Sequence, residues 1–293
     1  MTKEAADKIF SLLKNMGCGS VHIGGGEPFM NFERLLDVCK SALSHRVYID
    51  YIETNASWFT DDERAGEKLK KLKYAGVGCL LVSVDPFHNG FVPYVKIKNL
   101  LNCCKKNGME TFVWQSRFEP VVRQLNENTV HSPEEYENLF GEGFIETIAE
   151  NYKIGYNGRA LRLLERFARK KRPCGDFLKD TQCRSAITSL SHFHVDPDCS
   201  LIPPSCNGFR ADIFDLCENG LDGEKYANFT AVMESGLEAL FKTAQTLGFV
   251  PDSMGYASKC ALCFDIKKYI SETVRAKTGK EPADIGPAGF FDL

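Results

Sequence analysis

No run of apolar residues in the 293-residue chain approaches membrane length, and no secretory leader precedes its first amphipathic segment. Those absences argue against a helical membrane protein and point to a soluble, cytoplasmic chain. Neither sign of charge dominates. With 36 basic and 39 acidic side chains the net charge is −3, so the electrostatic footprint of a nucleic-acid binder is missing. Low-complexity tracts are missing as well. Cysteine is the opposite case, with twelve in the chain. In a reducing compartment so many thiols read as buried side chains or metal ligands rather than disulfides.

The most informative stretch is Val21-His22-Ile23 followed at once by Gly24-Gly25-Gly26-Glu27-Pro28. Glycines at a strand end let main-chain groups turn toward a ligand with no Cβ in the way. Pro28 biases Glu27 toward an extended conformation and donates no hydrogen bond itself. Such a loop suits an amine or ammonium better than a phosphate, which wants N–H donors at a helix N-terminus. The glycine spacing is also not the G-x-G-x-x-G of a dinucleotide site. A plain strand-to-helix turn is the competing reading of the loop taken alone.

Apolar periodicity predicts helices over 3–16, 31–43 and 94–107, and strands over 20–24, 47–53, 77–84, 110–115 and 151–156. Thr60-Asp61-Asp62-Glu63 and Ser132-Pro133-Glu134-Glu135 read as capping boxes that open further helices, the second after a long polar loop. Glu27, Asn55, Asp85 and Gln115 stand at successive strand ends, about thirty residues apart. Strand-then-helix units of that length build a parallel sheet through right-handed crossovers, and functional groups collect at its C-terminal rim. One period upstream of Glu27 lies just before Met1, and the chain opens on a helix with no strand ahead of it. The spacing therefore implies a first strand, with its rim loop, preceding these residues.

Taken together, Gly25-Gly26-Glu27-Pro28, Glu53-Thr54-Asn55, Ser83-Val84-Asp85-Pro86-Phe87-His88 and Gly158-Arg159-Ala160 resemble the radical S-adenosylmethionine (radical SAM) superfamily. The resemblance covers about residues 1–170, and its first motif is the most specific. It implies an α/β fold, a partial (β/α)6 TIM-like barrel, here missing its first strand. It also implies that Gly25, Gly26, Glu27 and Pro28 receive the methionyl ammonium of SAM. Ser83 or Asp85 would meet the ribose or carboxylate, Asn55 would join them on the rim, and Gln115 would lie on the adenosine side. Individually, Asn55, Ser83 and Gln115 read as ordinary loop caps. As a set on one rim they read as a ligand site. His88 is a candidate catalytic residue with a tunable proton, or else a surface loop residue.

One departure from the family is large. The resemblance calls for C-x-x-x-C-x-x-C upstream of the glycine loop, where three thiolates hold a [4Fe–4S] cluster whose open iron chelates SAM. Here only Cys18 precedes the loop. The family's reductive cleavage of SAM to a 5′-deoxyadenosyl radical, which abstracts hydrogen from substrate, also needs an external electron donor. These 293 residues are therefore expected to be inactive alone.

Past Pro173 the chain changes character, with Cys174, Cys183, Cys199, Cys206, Cys217, Cys260 and Cys263. His192 to Asp196 and Leu201 to Pro203 read as a hairpin that delivers Cys206, followed by a helix over 229–247. Cys260-Ala261-Leu262-Cys263 opens the last helix, whose N-terminus favours thiolates. The layout resembles the auxiliary-cluster extensions (SPASM or twitch type) of radical SAM maturases. The resemblance puts Cys183, Cys206, Cys260 and Cys263 forward as ligands, with Cys174 and Cys199 as substitutes. The metal is an iron–sulfur cluster or zinc, since four thiolates suit either. Cys39, Cys79, Cys103 and Cys104 read as buried thiols. The basic run Arg169-Lys170-Lys171-Arg172 reads as a solvated helix end, and the tail 279–293 as mobile with Phe290 and Phe291 tucked in.

The expected organisation is a radical SAM core over 1–170 and a small Cys-rich α+β domain over 171–293. The substrate is unnamed, a peptide or a small molecule. Two other classes compete: a non-catalytic Cys-rich protein that grips a metal or peptide on a barrel remnant, and a metal-independent barrel enzyme. The last would want a lysine at the rim, and none is evident.

Overall fold

The computed structural model describes residues 1–293 except 152–157, 180–182, 189–191, 204, 205, 207 and 293, and for 158, 159, 289 and 292 the backbone alone. The chain divides into two compact units, Met1–Gly141 and Glu142–Leu293. Division by packing thus comes earlier than the change in composition at 170.

The first unit runs α1 (Lys3–Asn15), β1 (Ser20–Ile23), α2 (Phe32–Ser44), β2 (Tyr48–Thr54), α3 (Asp62–Tyr74), β3 (Cys79–Ser83), α4 (Pro86–Asn89), α5 (Tyr94–Lys106), β4 (Glu110–Trp114), α6 (Glu119–Val122) and α7 (Pro133–Phe140). All four strands are parallel and lie in the order β1-β2-β3-β4. The βα repeat of the sequence is therefore present as a mixed α/β unit around a four-stranded sheet. The amphipathic helices show why. In α1 the buried residues Ala6, Ile9, Phe10 and Leu13 fall on one stripe, and Thr2 caps the first turn through Ala5 N–H at 3.2 Å. Strand β3 is buried along nearly its whole length, as a strand with neighbours on both sides should be, and β4 is largely exposed.

Details differ from expectation. Helix α3 is capped by Asp61, whose Oδ1 accepts Arg64 N–H at 2.9 Å, so Thr60 stands one residue outside it. The Ser132–Glu135 capping box forms as read. The polar stretch before it holds a 3₁₀ turn, Ser116–Phe118, and α6, which bury Phe118 and Val122. Most of the expected strand 151–156 lies outside the described residues.

The second unit contains α8 (Phe144–Asn151), α9 (Gly158–Phe167), α10 (Gly175–Leu178), α11 (Cys183–Ile187), β5 (His194–Val195), β6 (Ser200–Ile202), β7 (Ala211–Asp212), α12 (Ile213–Asn219), α13 (Ala227–Ser235), α14 (Leu237–Thr246) and α15 (Lys259–Thr278). The expected hairpin is β5–β6, with β7 adding a third antiparallel strand. The helix expected over 229–247 is two helices. Gly236, at φ 75° and ψ −166°, takes a positive-φ extended conformation open to glycine that ends α13 and starts α14. The basic run is exposed, as expected, and it also makes surface contacts: Arg169 pairs with Glu146, Lys171 with Glu165 at 2.9 Å, and Arg172 stacks over Phe177. The tail differs from the expectation of a mobile segment. Ile285 and Phe291 are fully buried, and Phe291 meets Phe264 edge-on at 5.0 Å. Among the described residues no helix is long and apolar enough to cross a membrane.

Candidate functional site

Each residue singled out at a strand end lies at the C-terminal edge of the first unit's sheet, because the four strands run parallel. The loop after β1 is tied to the end of β2 through one carboxylate. Glu27 Oε2 accepts the main-chain N–H of Asn55 at 2.8 Å, and Thr54 Oγ1 donates to both carboxylate oxygens at 3.0 Å. Phe29 N–H closes the turn onto Oε1 at 3.2 Å, which starts a 3₁₀ turn at Pro28. Thr54 is itself held. It is buried, it accepts from Trp58 Nε1 at 2.8 Å, and Trp58 lies flat on Phe29 with centroids 4.1 Å apart. Burial is the strongest influence on Glu27 and lifts its pKa above the ordinary glutamate value. The hydrogen bonds from Asn55, Phe29 and Thr54 and the charge of His88 pull the other way.

Gly24 approaches the end of the Glu53 side chain closely. A Cβ there would stand 2.7 Å from Glu53 Oε2. Glu53 therefore lies against the strand end, where its Oε1 is 3.7 Å from His22 Nε2.

At the end of β3, Asp85 caps α4 by accepting Phe87 N–H at 2.9 Å and His88 N–H at 2.8 Å through Oδ1. Its Oδ2 lies 2.7 Å from His88 Nδ1, which fixes the ring and assigns that nitrogen as the donor. The turn is braced from beneath, since buried Asn89 accepts from Tyr136 Oη at 2.7 Å. Burial works against a charged His88. The bond to Asp85 and the charges of Asp85, Glu27 and Glu53 outweigh it, so His88 titrates above its ordinary value.

The edge thus brings Glu27 and Asn55 into direct contact and Asp85 and His88 into direct contact, with the charges of Glu27 and His88 acting on each other. Ser83 closes β3 and is buried, and Gln115 follows β4 half-buried. Gly25 and Gly26 are exposed beside Glu27. Two of the side chains also do local work: Asn55 Oδ1 accepts Ser57 N–H at 2.9 Å, and Asp85 is the α4 cap.

In the second unit, α15 opens at Ser258, whose Oγ accepts Ala261 N–H at 3.0 Å, so Cys260 and Cys263 lie in the first turns. Of the four thiols put forward as ligands, Cys183, Cys260 and Cys263 each influence Cys206. Burial pushes Cys206 up to about 12, with Lys267 opposing the rise and Cys263, Cys260 and Cys183 adding to it. Cys174 packs half-buried against the core, and Cys199 sits in the β5–β6 turn at φ 67°. Cys39, Cys103 and Cys104 are fully buried, and burial raises Cys39 and Cys104 to about 12. Cys79 is half-buried.

No protein-family model and no curated protein matches this chain. Two residues of these sites were not singled out from sequence. Thr54 stood inside a quoted motif without a role. Lys267 stands four residues beyond Cys263 and seven beyond Cys260, a helical spacing that was available to find it.

Proposed function

We propose that the first unit binds S-adenosylmethionine at the C-terminal edge of its sheet, and that Cys183, Cys206, Cys260 and Cys263 hold an auxiliary iron–sulfur centre in the second. On this reading the chain belongs to a radical SAM enzyme that modifies a peptide or small molecule and draws on an external electron donor. The observation that carries it is the joining of Glu27 to Thr54 and Asn55 on the same edge that presents the Asp85–His88 pair.

The residues fit the ligand. A carboxylate offers about four lone-pair positions, and those of Glu27 face Phe29, Thr54 at both oxygens, and Asn55. An ammonium would meet the loop at exposed Gly25 and Gly26, whose missing side chains leave open space. Glu27, Glu53 and Asp85 all act on His88, an environment that suits a cationic ligand such as a sulfonium. In this account Glu27 orients the loop, Asp85 orients His88, and Ser83 and Gln115 flank the nucleoside. Bound to a reduced cluster, SAM supplies one-electron chemistry. These 293 residues carry no C-x-x-x-C-x-x-C, so alone they bind SAM without cleaving it.

One observation favours a second reading, a non-catalytic metal- or peptide-binding protein: Asn55 and Asp85 are both used as local caps. Anaerobic purification separates the two. Brown protein with iron and sulfide, retaining SAM in equilibrium dialysis, supports the first. Colourless protein with stoichiometric zinc and no SAM retention supports the second. Formation of 5′-deoxyadenosine by this chain under reductant would contradict the expected inactivity.

A further inference from the structure

A cavity of about 410 Å³ lies beside the start of α7, lined by Leu125, Asn126, His131, Glu135, Asn138 and Leu139. His131 is 8 % exposed, and its Nδ1 is a buried nitrogen with no hydrogen-bond partner. The other ring nitrogen is committed. Nε2 lies 2.9 Å from the main-chain oxygen of Asn126, which can only accept, so Nε2 carries the proton. In the neutral ring Nδ1 is then a bare lone pair, and it faces Glu135 Oε1 at 3.5 Å. Glu135 is oriented as firmly. Its Oε2 accepts Ser132 N–H at 2.7 Å in the capping box of α7, which leaves Oε1 for the ring. The main chain of His131 is fixed too, donating its N–H to Asn89 O at 3.2 Å.

Two acceptors this close, one of them buried, are unfavourable unless a proton or a cation stands between them. The arrangement is one that metal sites use. A ligating imidazole donates its second N–H to a main-chain carbonyl, and the ligating carboxylate is hydrogen-bonded in turn. The separation fits as well. Zinc held at about 2.0–2.2 Å from a nitrogen and an oxygen, in a tetrahedron, keeps those donors about 3.4 Å apart, against the 3.5 Å found. An imidazole with a carboxylate suits zinc, cobalt or nickel better than the all-oxygen ions calcium and magnesium. The Glu135 side chain is 52 % exposed, which gives an ion a way in from solvent. A protonated ring paired with Glu135 is the other answer to the same geometry, and the two are separable.

We infer that His131 Nδ1 and Glu135 Oε1 are the protein's two ligands in a divalent-metal site of the zinc type, completed by water or by a small ligand in the adjoining cavity. The site is independent of the readings of the sheet edge and of the cysteines.

The test is long-range ¹H–¹⁵N spectroscopy of the imidazole rings in the full chain, at about pH 8, where an ordinary histidine is neutral. Zinc is added beyond what the cysteines take up, and the readout is specific to each ring. Wild type should show His131 in the Nε2–H form, with a saturable shift of Nδ1 at zinc concentrations that leave His45 unmoved. His45 is the reference because its Nδ1 is already taken up by Ser41 O. Glu135→Gln keeps an oxygen for Ser132 N–H and should weaken zinc at His131 at least about 10-fold, since even the loss of an outer hydrogen bond costs that much. If that variant does not fold, Glu135→Asp, too short to serve cap and ion together, replaces it with the same expected loss. Protons on both ring nitrogens that zinc does not displace would establish the ion pair and overturn the inference. An Nδ1 that zinc leaves still, or moves no more readily than His45, overturns it too. Equal zinc affinity in wild type and the Glu135 variant removes the carboxylate, and the two-ligand site falls.

Discussion

Glu27 Oε2 accepts the main-chain N–H of Asn55 at 2.8 Å, so the glycine loop after β1 is fastened to the end of β2 by a side chain 28 residues away in sequence. Thr54 completes the fastening, because its hydroxyl donates to Glu27 and also accepts from Trp58 Nε1 and from Ala56 N–H. A loop held this way presents its exposed glycines in a fixed geometry before any ligand arrives.

Thr54→Val keeps the shape and removes the hydroxyl, which leaves the buried Ala56 N–H and the partly buried Trp58 Nε1 unanswered and Glu27 without its side-chain donor. The variant should lose about 1–3 kcal/mol of stability, and Thr54→Ser should lose much less. Urea titration followed by tryptophan fluorescence reads this directly, since the chain's two tryptophans, Trp58 and Trp114, both lie in the first unit. Equal midpoints for wild type and Thr54→Val would remove the hydroxyl from the account.

His88 and Glu27 make the first unit's stability fall as pH rises. Both hold protons more tightly when folded, His88 above 6.5 and Glu27 above 4.5. Wherever the folded state binds more protons than the unfolded one, stability declines with increasing pH. The His88 contribution is fully present below pH 6.5 and is lost as pH passes its raised value. His88 is 43 % exposed at its side chain, so solvent screening keeps the effect modest. Urea midpoints at a series of pH values should decline through this window in wild type and flatten in His88→Gln. A wild-type midpoint that rises with pH there would reverse the assignment.

Metal content should follow the cysteines unevenly. The Cys260→Ala, Cys263→Ala double variant should lose the iron and sulfide, or the zinc, of anaerobically purified protein. Cys39→Ala and Cys104→Ala should retain it, since those thiols are sealed in the first unit's core. Loss of metal from Cys39→Ala with the double variant unaffected would move the site.

Much of this was legible in the sequence wherever periodicity decides structure. The strands ending at Ile23, Thr54, Ser83 and Trp114 and the helices between them follow from apolar spacing, and so does the edge that carries Glu27, Asn55, Asp85 and Gln115. What escaped depends on contacts distant in sequence. Lys267 is 1 % exposed within α15, which lysine's ordinary preference for the surface does not signal. Thr54 gains its role only through Glu27 and Trp58. The tail composition of Gly, Pro and charge suggests mobility, yet Asp284 accepts Asn228 N–H at 2.7 Å and Phe229 N–H at 2.9 Å, which fastens the tail to α13. The break at Gly236 turns on a backbone conformation that helical patterning does not register.

The central claim is that residues about thirty positions apart share one ligand. Amide chemical-shift mapping of the ¹⁵N-labelled chain on addition of S-adenosylmethionine tests it most directly and tolerates weak binding. The account predicts saturable shifts concentrated at Gly24 to Glu27, Asn55, Ser83, Asp85, His88 and Gln115. A well-dispersed spectrum in which those amides stay still, or in which the shifts gather elsewhere, would contradict it.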